Sequence, residues 1–269
     1  MTKTLSLLLL FISSISFGQK SKGPAFDIAD FNKKMEVAEW LYAYDQVAWK
    51  TSDSVMQQDP KEIERLGSDW FCFQENDSWH AVYGKYEHAV FDLVFHFIMD
   101  EQGAVRRTSE SIDTSVLHPY ARALQTAGAQ MATLKDTVRL RFNQFIKKNE
   151  DHTFSVWIFP AFQPNSYAIY GGEFVYTLDP SGTSILQDDS YYQGQFRGFK
   201  VDNPREIWLN YRETEKPTLG AVFFAWYYKS YFTKIIIDNA KSQSTPFKSG
   251  NTWTWIHVEK SLDKQKKKK

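Results

Sequence analysis

The side chains in this 269-residue chain with chemistry to offer are six histidines, one cysteine and a scatter of carboxylates. His80, His88 and His96 recur at intervals of eight, while His118, His152 and His257 stand apart. On a strand rising ~3.3 Å per residue, eight residues span about 26 Å, so these three cannot share a metal ion unless the chain folds back between them. A return near Gly84 would bring one pair together, and a pair falls short of the ligand set that zinc requires. There is no HExxH motif and no cysteine-containing ligand set, so neither a metal nor a cofactor is expected.

Asp92 and His96 have the spacing of one strand face but lie about 13 Å apart by the same rise, too far for one to orient the other. Serine nucleophiles lack a GxSxG elbow. Cys72 sits between Phe71 and Phe73 without a basic neighbour, and reads as a small core residue rather than a thiolate. Among the carboxylates, Asp188 and Asp189 adjoin Tyr191 and Tyr192, and Glu173 follows the Gly171–Gly172 pair. Two carboxylates ~5 to 10 Å apart beside aromatic platforms would suit glycoside hydrolysis, although acidic residues in such places are also ordinary solvated turns. Trp253, Trp255 and His257 alternate along one strand face. That face offers a stacking surface for a sugar or peptide if it is exposed, and a packing surface for a helix if it is not.

These residues must be positioned by the elements around them. Val37, Trp40, Leu41, Tyr44, Val47, Ala48 and Val55 recur every three or four residues and predict a helix from Phe26 to about Gln57. Its polar side is assigned mainly to Lys33, Lys34, Glu36, Glu39 and Asp45. Asp59 and Pro60 start a second, short helix that Gly67 stops. Asp69–Glu75 and Ser78–Tyr86 read as a hairpin around Asn76–Asp77. Ala89–Met99 alternates with a period of two, which places Phe91, Leu93, Phe95, Phe97 and Met99 together. Pro119 to about Leu134 predicts a third helix. Strands are expected at Thr137–Ile146, Thr153–Phe159, Tyr167–Leu178, from Thr183 onward, at Glu206–Tyr211 and at Thr252–Val258. The run Leu219–Ile237 is too apolar on every side for water to be its main neighbour, so it is expected inside, as a helix capped by Thr218 and running to about Phe232 followed by a strand Lys234–Asp238, with two strands around Lys229 and Ser230 as the alternative.

The pattern gives an α+β fold: a large, mostly antiparallel sheet system with two or three helices, in one domain over residues 19–259 with an alternative boundary near 149–151. Residues 1–18 read as a cleavable signal peptide, with Lys3, an apolar Leu5–Ile15 and small residues Ser16 and Gly18 before the cut. The mature chain is thus expected to be exported, to the periplasm or outside the cell, without a transmembrane span. With a single cysteine it cannot form an intramolecular disulfide. Residues 260–269 carry net charge +5 and read as a disordered, solubilising tail, while residues 19–259 carry −6. An acidic body argues against nucleic acid as a partner. The resulting expectation is a non-catalytic binding or interaction protein with an aromatic-rich surface for a glycan or peptide. The alternative is a glycan-directed envelope hydrolase drawing on Asp92, His96, Glu173, Asp188 or Asp189.

Overall fold

Helix α1 (Ile28–Val55) begins where the Asp27 carboxylate accepts the Asp30 N–H at 3.1 Å, and it runs on without proline or glycine to interrupt it. This is a computed structural model, and it describes residues 26–109, 112–134 and 140–260. The expected leader, the start of the strand expected from Thr137 and the lysine tail beyond Lys260 lie outside the described residues. Among the described residues, four α-helices accompany thirteen strands in three sheets, an α+β architecture with mostly antiparallel pairing.

After the short helix α2 (Pro60–Ile63), the first sheet is a meander of β1 (Asp69–Glu75), β2 (Ser78–Glu87), β3 (Val90–Met99) and β4 (Val105–Arg107). Helix α3 (His118–Ala132) follows. The second sheet holds β5 (Phe142–Lys148), β6 (Phe154–Pro160), β7 (Tyr167–Leu178), β8 (Ile185–Asp188) and β9 (Tyr191–Lys200), with β8 and β9 pairing along opposite ends of β7. Residues 149–151 lie in the turn of the β5–β6 hairpin, closed by Asn149 N–H to the Thr153 carbonyl at 2.8 Å.

Aromatic rings join these two sheets into one layer between helices. On one face Tyr44 of α1 lies 5.9 Å from Trp79 on β2 and 5.3 Å from Phe145 on β5, ring centre to ring centre. On the other, Tyr120 of α3 lies 5.1 Å from Phe71 on β1 and 4.9 Å from Phe154 on β6. Cys72 is buried on the α1 side, where its N–H donates to the Tyr44 hydroxyl at 2.8 Å, and burial pushes its thiol pKa well up.

The face expected to unite Phe91, Leu93, Phe95, Phe97 and Met99 is split in two. Tyr83 pairs with Phe95 but Gly84 pairs with Leu93, so a bulge at Val94 inverts the alternation. Phe91 and Leu93 therefore pack toward α3, and Phe95, Phe97 and Met99 toward α1. Gly84 permits the bulge, because a β-carbon there would collide with the Asp92 carbonyl.

The third sheet is β10 (Glu206–Tyr211), β11 (Lys234–Asn239), β12 (Ser242–Ser249) and β13 (Thr252–Glu259). Strands β10 and β11 are parallel, so a crossover must join them, and α4 (Leu219–Tyr227) supplies it. This accounts for the apolar run. The helix is capped by Thr218, whose hydroxyl accepts the Ala221 N–H at 3.2 Å, and it buries Val222, Phe223 and Phe224 between α1 and β7. The Lys234 strand then lies centrally in its sheet, where Ile235, Ile236 and Ile237 are all buried.

Candidate functional site

The cleft between α1, β5, α4 and the 161–166 loop is built around a carboxylate that its sequence position disguised. Its spacing puts Asp45 toward the polar side of α1, yet only 5% of its surface is exposed. Helix α1 is covered on two sides, by the aromatic layer at Tyr44 and by α4 at the next residue. The Asp45 carboxylate accepts the Tyr227 hydroxyl at 2.8 Å on Oδ2 and the Asn143 amide at 3.2 Å on Oδ1. Burial raises its pKa to about 6, against the lowering effect of the Tyr227 hydrogen bond. The Tyr227 phenol moves upward too, mainly through burial and then through the Asp45 charge, so it stays protonated and donating.

This carboxylate reaches a cavity of about 580 Å³. Trp49, Asp53, Trp70, Arg141 and Phe162 line it along with Asp45, Asn143 and Tyr227. Trp49 and Phe162 stand at its rim with 60% and 41% of their surfaces exposed. The loop opposite α1 is held in place by Gln163, a buried side chain. Its Nε2 donates to the Arg141 and Ala161 carbonyls at 2.9 and 2.6 Å, and its Oε1 accepts the Arg141 N–H at 3.0 Å. Gln163 thereby fixes the strand start that carries Arg141 into the cleft. Next to it, Asn165 and Ser166 both take positive φ, at 65° and 64°. Two consecutive non-glycine residues in that region cost energy, and such strain concentrates where a loop is held in a working shape.

The candidates from sequence fall elsewhere. The bulge at Val94 removes Asp92 and His96 from a common face: Asp92 is exposed, whereas His96 is buried on the α3 side. The fold-back between histidines does occur, at a turn through His88 and Ala89, both with positive φ. It sets His80 Nδ1 2.9 Å from His96 Nε2 across β2 and β3. Among the described residues, no group of three or more histidine, cysteine or acidic side chains has metal-binding geometry. Asp188 and Asp189 are exposed and bound within their own turn, to Ser190 N–H at 3.0 Å and to the Gln187 amide at 2.8 Å. Glu173 is buried against the start of α4, where it accepts the Gly220 N–H. Trp255 and His257 turn inward, while Trp253 is half-buried with the Lys229 ammonium 5.9 Å from its ring. Trp255 lies 4.9 Å from Phe31 and donates to Met35 Sδ at 3.2 Å, while His257 stacks on Phe26 at 4.0 Å. Burial lowers the His257 pKa to about 4, so this imidazole is neutral at ordinary pH.

Comparison of the chain with protein-family models, with curated proteins and with solved structures found no match. The geometry of the cleft therefore carries the functional argument. Paired hydrogen-bonding groups at its floor and exposed rings at its rim can hold a ligand that is polar at its edges and apolar on its faces.

Proposed function

We propose that this chain is an exported binding protein that takes a glycan in the Asp45 cleft. The observation that carries the reading is a buried, hydrogen-bonded carboxylate opening onto a cavity rimmed by the exposed rings of Trp49 and Phe162. A pyranose has that duality: its C–H faces stack on indole and phenyl rings, and its hydroxyls seek carboxylate, amide and guanidinium partners. Each Asp45 oxygen accepts one protein hydrogen bond, which leaves a lone pair on each for ligand hydroxyls. Arg141 and the Asn143 carbonyl oxygen add further partners. Export is supported by the apolar Leu5–Ile15 stretch and the small residues at Ser16 and Gly18. Among the described residues, no helix is long and apolar enough to cross a membrane.

Glycan hydrolysis is the second reading, because a carboxyl with pKa about 6 can serve as a general acid. The nearest second carboxylate in the cleft is Asp53, eight residues further along the same helix. That is ~12 Å of helical rise, beyond the ~5 to 9.5 Å that paired-carboxylate mechanisms use. Binding without turnover is the better fit. Calorimetric titration of the chain with oligosaccharides and peptidoglycan fragments tests it. Saturable binding that weakens at least about tenfold in Trp49→Ala and Phe162→Ala is expected. Equal binding by the parent and both variants, or release of reducing ends, would defeat it.

A further inference from the structure

We propose that the outer face of the third sheet, together with the lysine-rich segment that leaves it, docks the protein on an anionic lipid surface. The face is set by register. Trp208 pairs with Ile236, Thr245 with Ile256, Gln243 with Val258 and Phe247 with Thr254, so these side chains share the side turned away from α1. The inward side is the one whose Trp255 and His257 pack on α1. Trp208, Phe247, Ile256 and Val258 are 44%, 50%, 43% and 55% exposed, which is unusual for so many large apolar groups on one sheet face. Strands β11 and β12 pair only at Ile237–Ser244 and Asp238–Gln243, and where they part a groove of about 580 Å³ opens, floored by Ile236.

Charge decides what covers this face. Asp238 lies on it and is doubly paired, with Arg212 at 2.6 Å and Lys260 at 2.7 Å. Lys234 lies there too, 3.9 Å from Glu206. Lys260 is thus held at the sheet, its N–H donating to the Lys241 carbonyl at 2.8 Å, and the chain continues from that point. Residues 260–269 contribute six lysines against Asp263, although residues 19–259 are net acidic. A positive segment beginning at an exposed apolar face is the pairing that an anionic bilayer rewards: rings and aliphatic groups enter the interface while lysines meet the headgroups. Each contribution is weak alone, so both are required, and added salt weakens the attachment. A soluble polyanion would use the lysines and leave the rings idle.

Cosedimentation of the full chain with phosphatidylcholine vesicles, with and without phosphatidylglycerol, tests the assignment. Binding is expected only with phosphatidylglycerol. It should fall about tenfold or more in a Phe247→Asp, Ile256→Asp double variant and also when Lys266, Lys267, Lys268 and Lys269 are all changed to Gln. Circular dichroism verifies that the sheet variant folds, and the lysine variant leaves the sheet untouched. No binding to either vesicle would overturn the proposal. So would binding that survives both changes, since Leu5–Ile15 would then be the anchor. Loss in the lysine variant alone, with equal affinity for heparin, would reduce the effect to charge attraction and overturn the docking face.

Discussion

Asp45 and Glu173 are both buried carboxylates braced against α4, and they differ in what surrounds their second lone pairs. Asp45 sits beside the end of that helix at Tyr227 and opens on a cavity of about 580 Å³. Glu173 sits at the start, holding Gly220 N–H, with Tyr211 nearby and only about 20 Å³ of space in the adjoining cavity at Gly172, Gly220 and Tyr211. Burial raises both, to about 6 and about 7. If perturbed ionisation alone marked a site, Glu173 would be the stronger candidate. Access reverses the order: one carboxylate is available to a ligand, and the other fixes the position of a helix.

The largest effect expected from breaking this contrast is on Glu173. Glu173→Ala removes the acceptor for the Gly220 N–H and leaves a cavity, and should lower the unfolding free energy by about 2 to 4 kcal/mol in urea titration. Glu173→Gln keeps an acceptor and should cost much less. Next comes pH. The folded chain keeps protons on Glu173 up to about pH 7 and on Asp45 up to about pH 6, whereas the unfolded chain releases them near the ordinary carboxyl values of 4.5 and 3.8. Between those limits the folded state binds more protons, so stability falls as pH rises from about 4 to 7. At ~1.36 kcal/mol per pH unit the Glu173 part is about 3 kcal/mol, and it should vanish in Glu173→Gln.

Asp45→Asn keeps an amide oxygen to accept from Tyr227 and should abolish the Asp45 share of that pH dependence, also about 3 kcal/mol between pH 4 and 6, while glycan affinity drops about tenfold or more. Trp49→Ala, at an exposed rim position, should leave the urea midpoint nearly unchanged, within about 0.5 kcal/mol.

Where local chemistry dominates, the sequence was readable. The 3.6-residue stripe of α1, the Thr218 cap, the Asn76–Asp77 hairpin turn and the interior character of the helical part of Leu219–Ile237 follow from neighbours along the chain, whereas Tyr231, in the turn beyond the helix, is exposed. Where pairing partners decide, it was not. The bulge that splits Phe91 from Phe95 depends on Gly84 lying against the Asp92 carbonyl across the hairpin. Strand β9, with Gly194 and Gly198, and strand β12, with three serines and Pro246, have poor intrinsic strand character and are held by their neighbours in the sheet. The cleft was hidden for the same reason. Asp45 lies one residue from Tyr44, off the apolar stripe, and only the arrival of α4 182 residues later buries it. The tandem Tyr44–Asp45 on a helix already carrying Trp40, Leu41 and Ala48 was the available signal. A helix with that much apolar surface is free to be covered on two sides.

The most direct test sets the two carboxylates against each other with one ligand panel: calorimetric titration of the parent chain, Asp45→Asn and Glu173→Gln with the same oligosaccharides at pH 7. The account predicts saturable binding by the parent and by Glu173→Gln, and a loss of about tenfold or more in Asp45→Asn. Undiminished binding by Asp45→Asn, or loss only in Glu173→Gln, would contradict it and place the ligand outside the cleft.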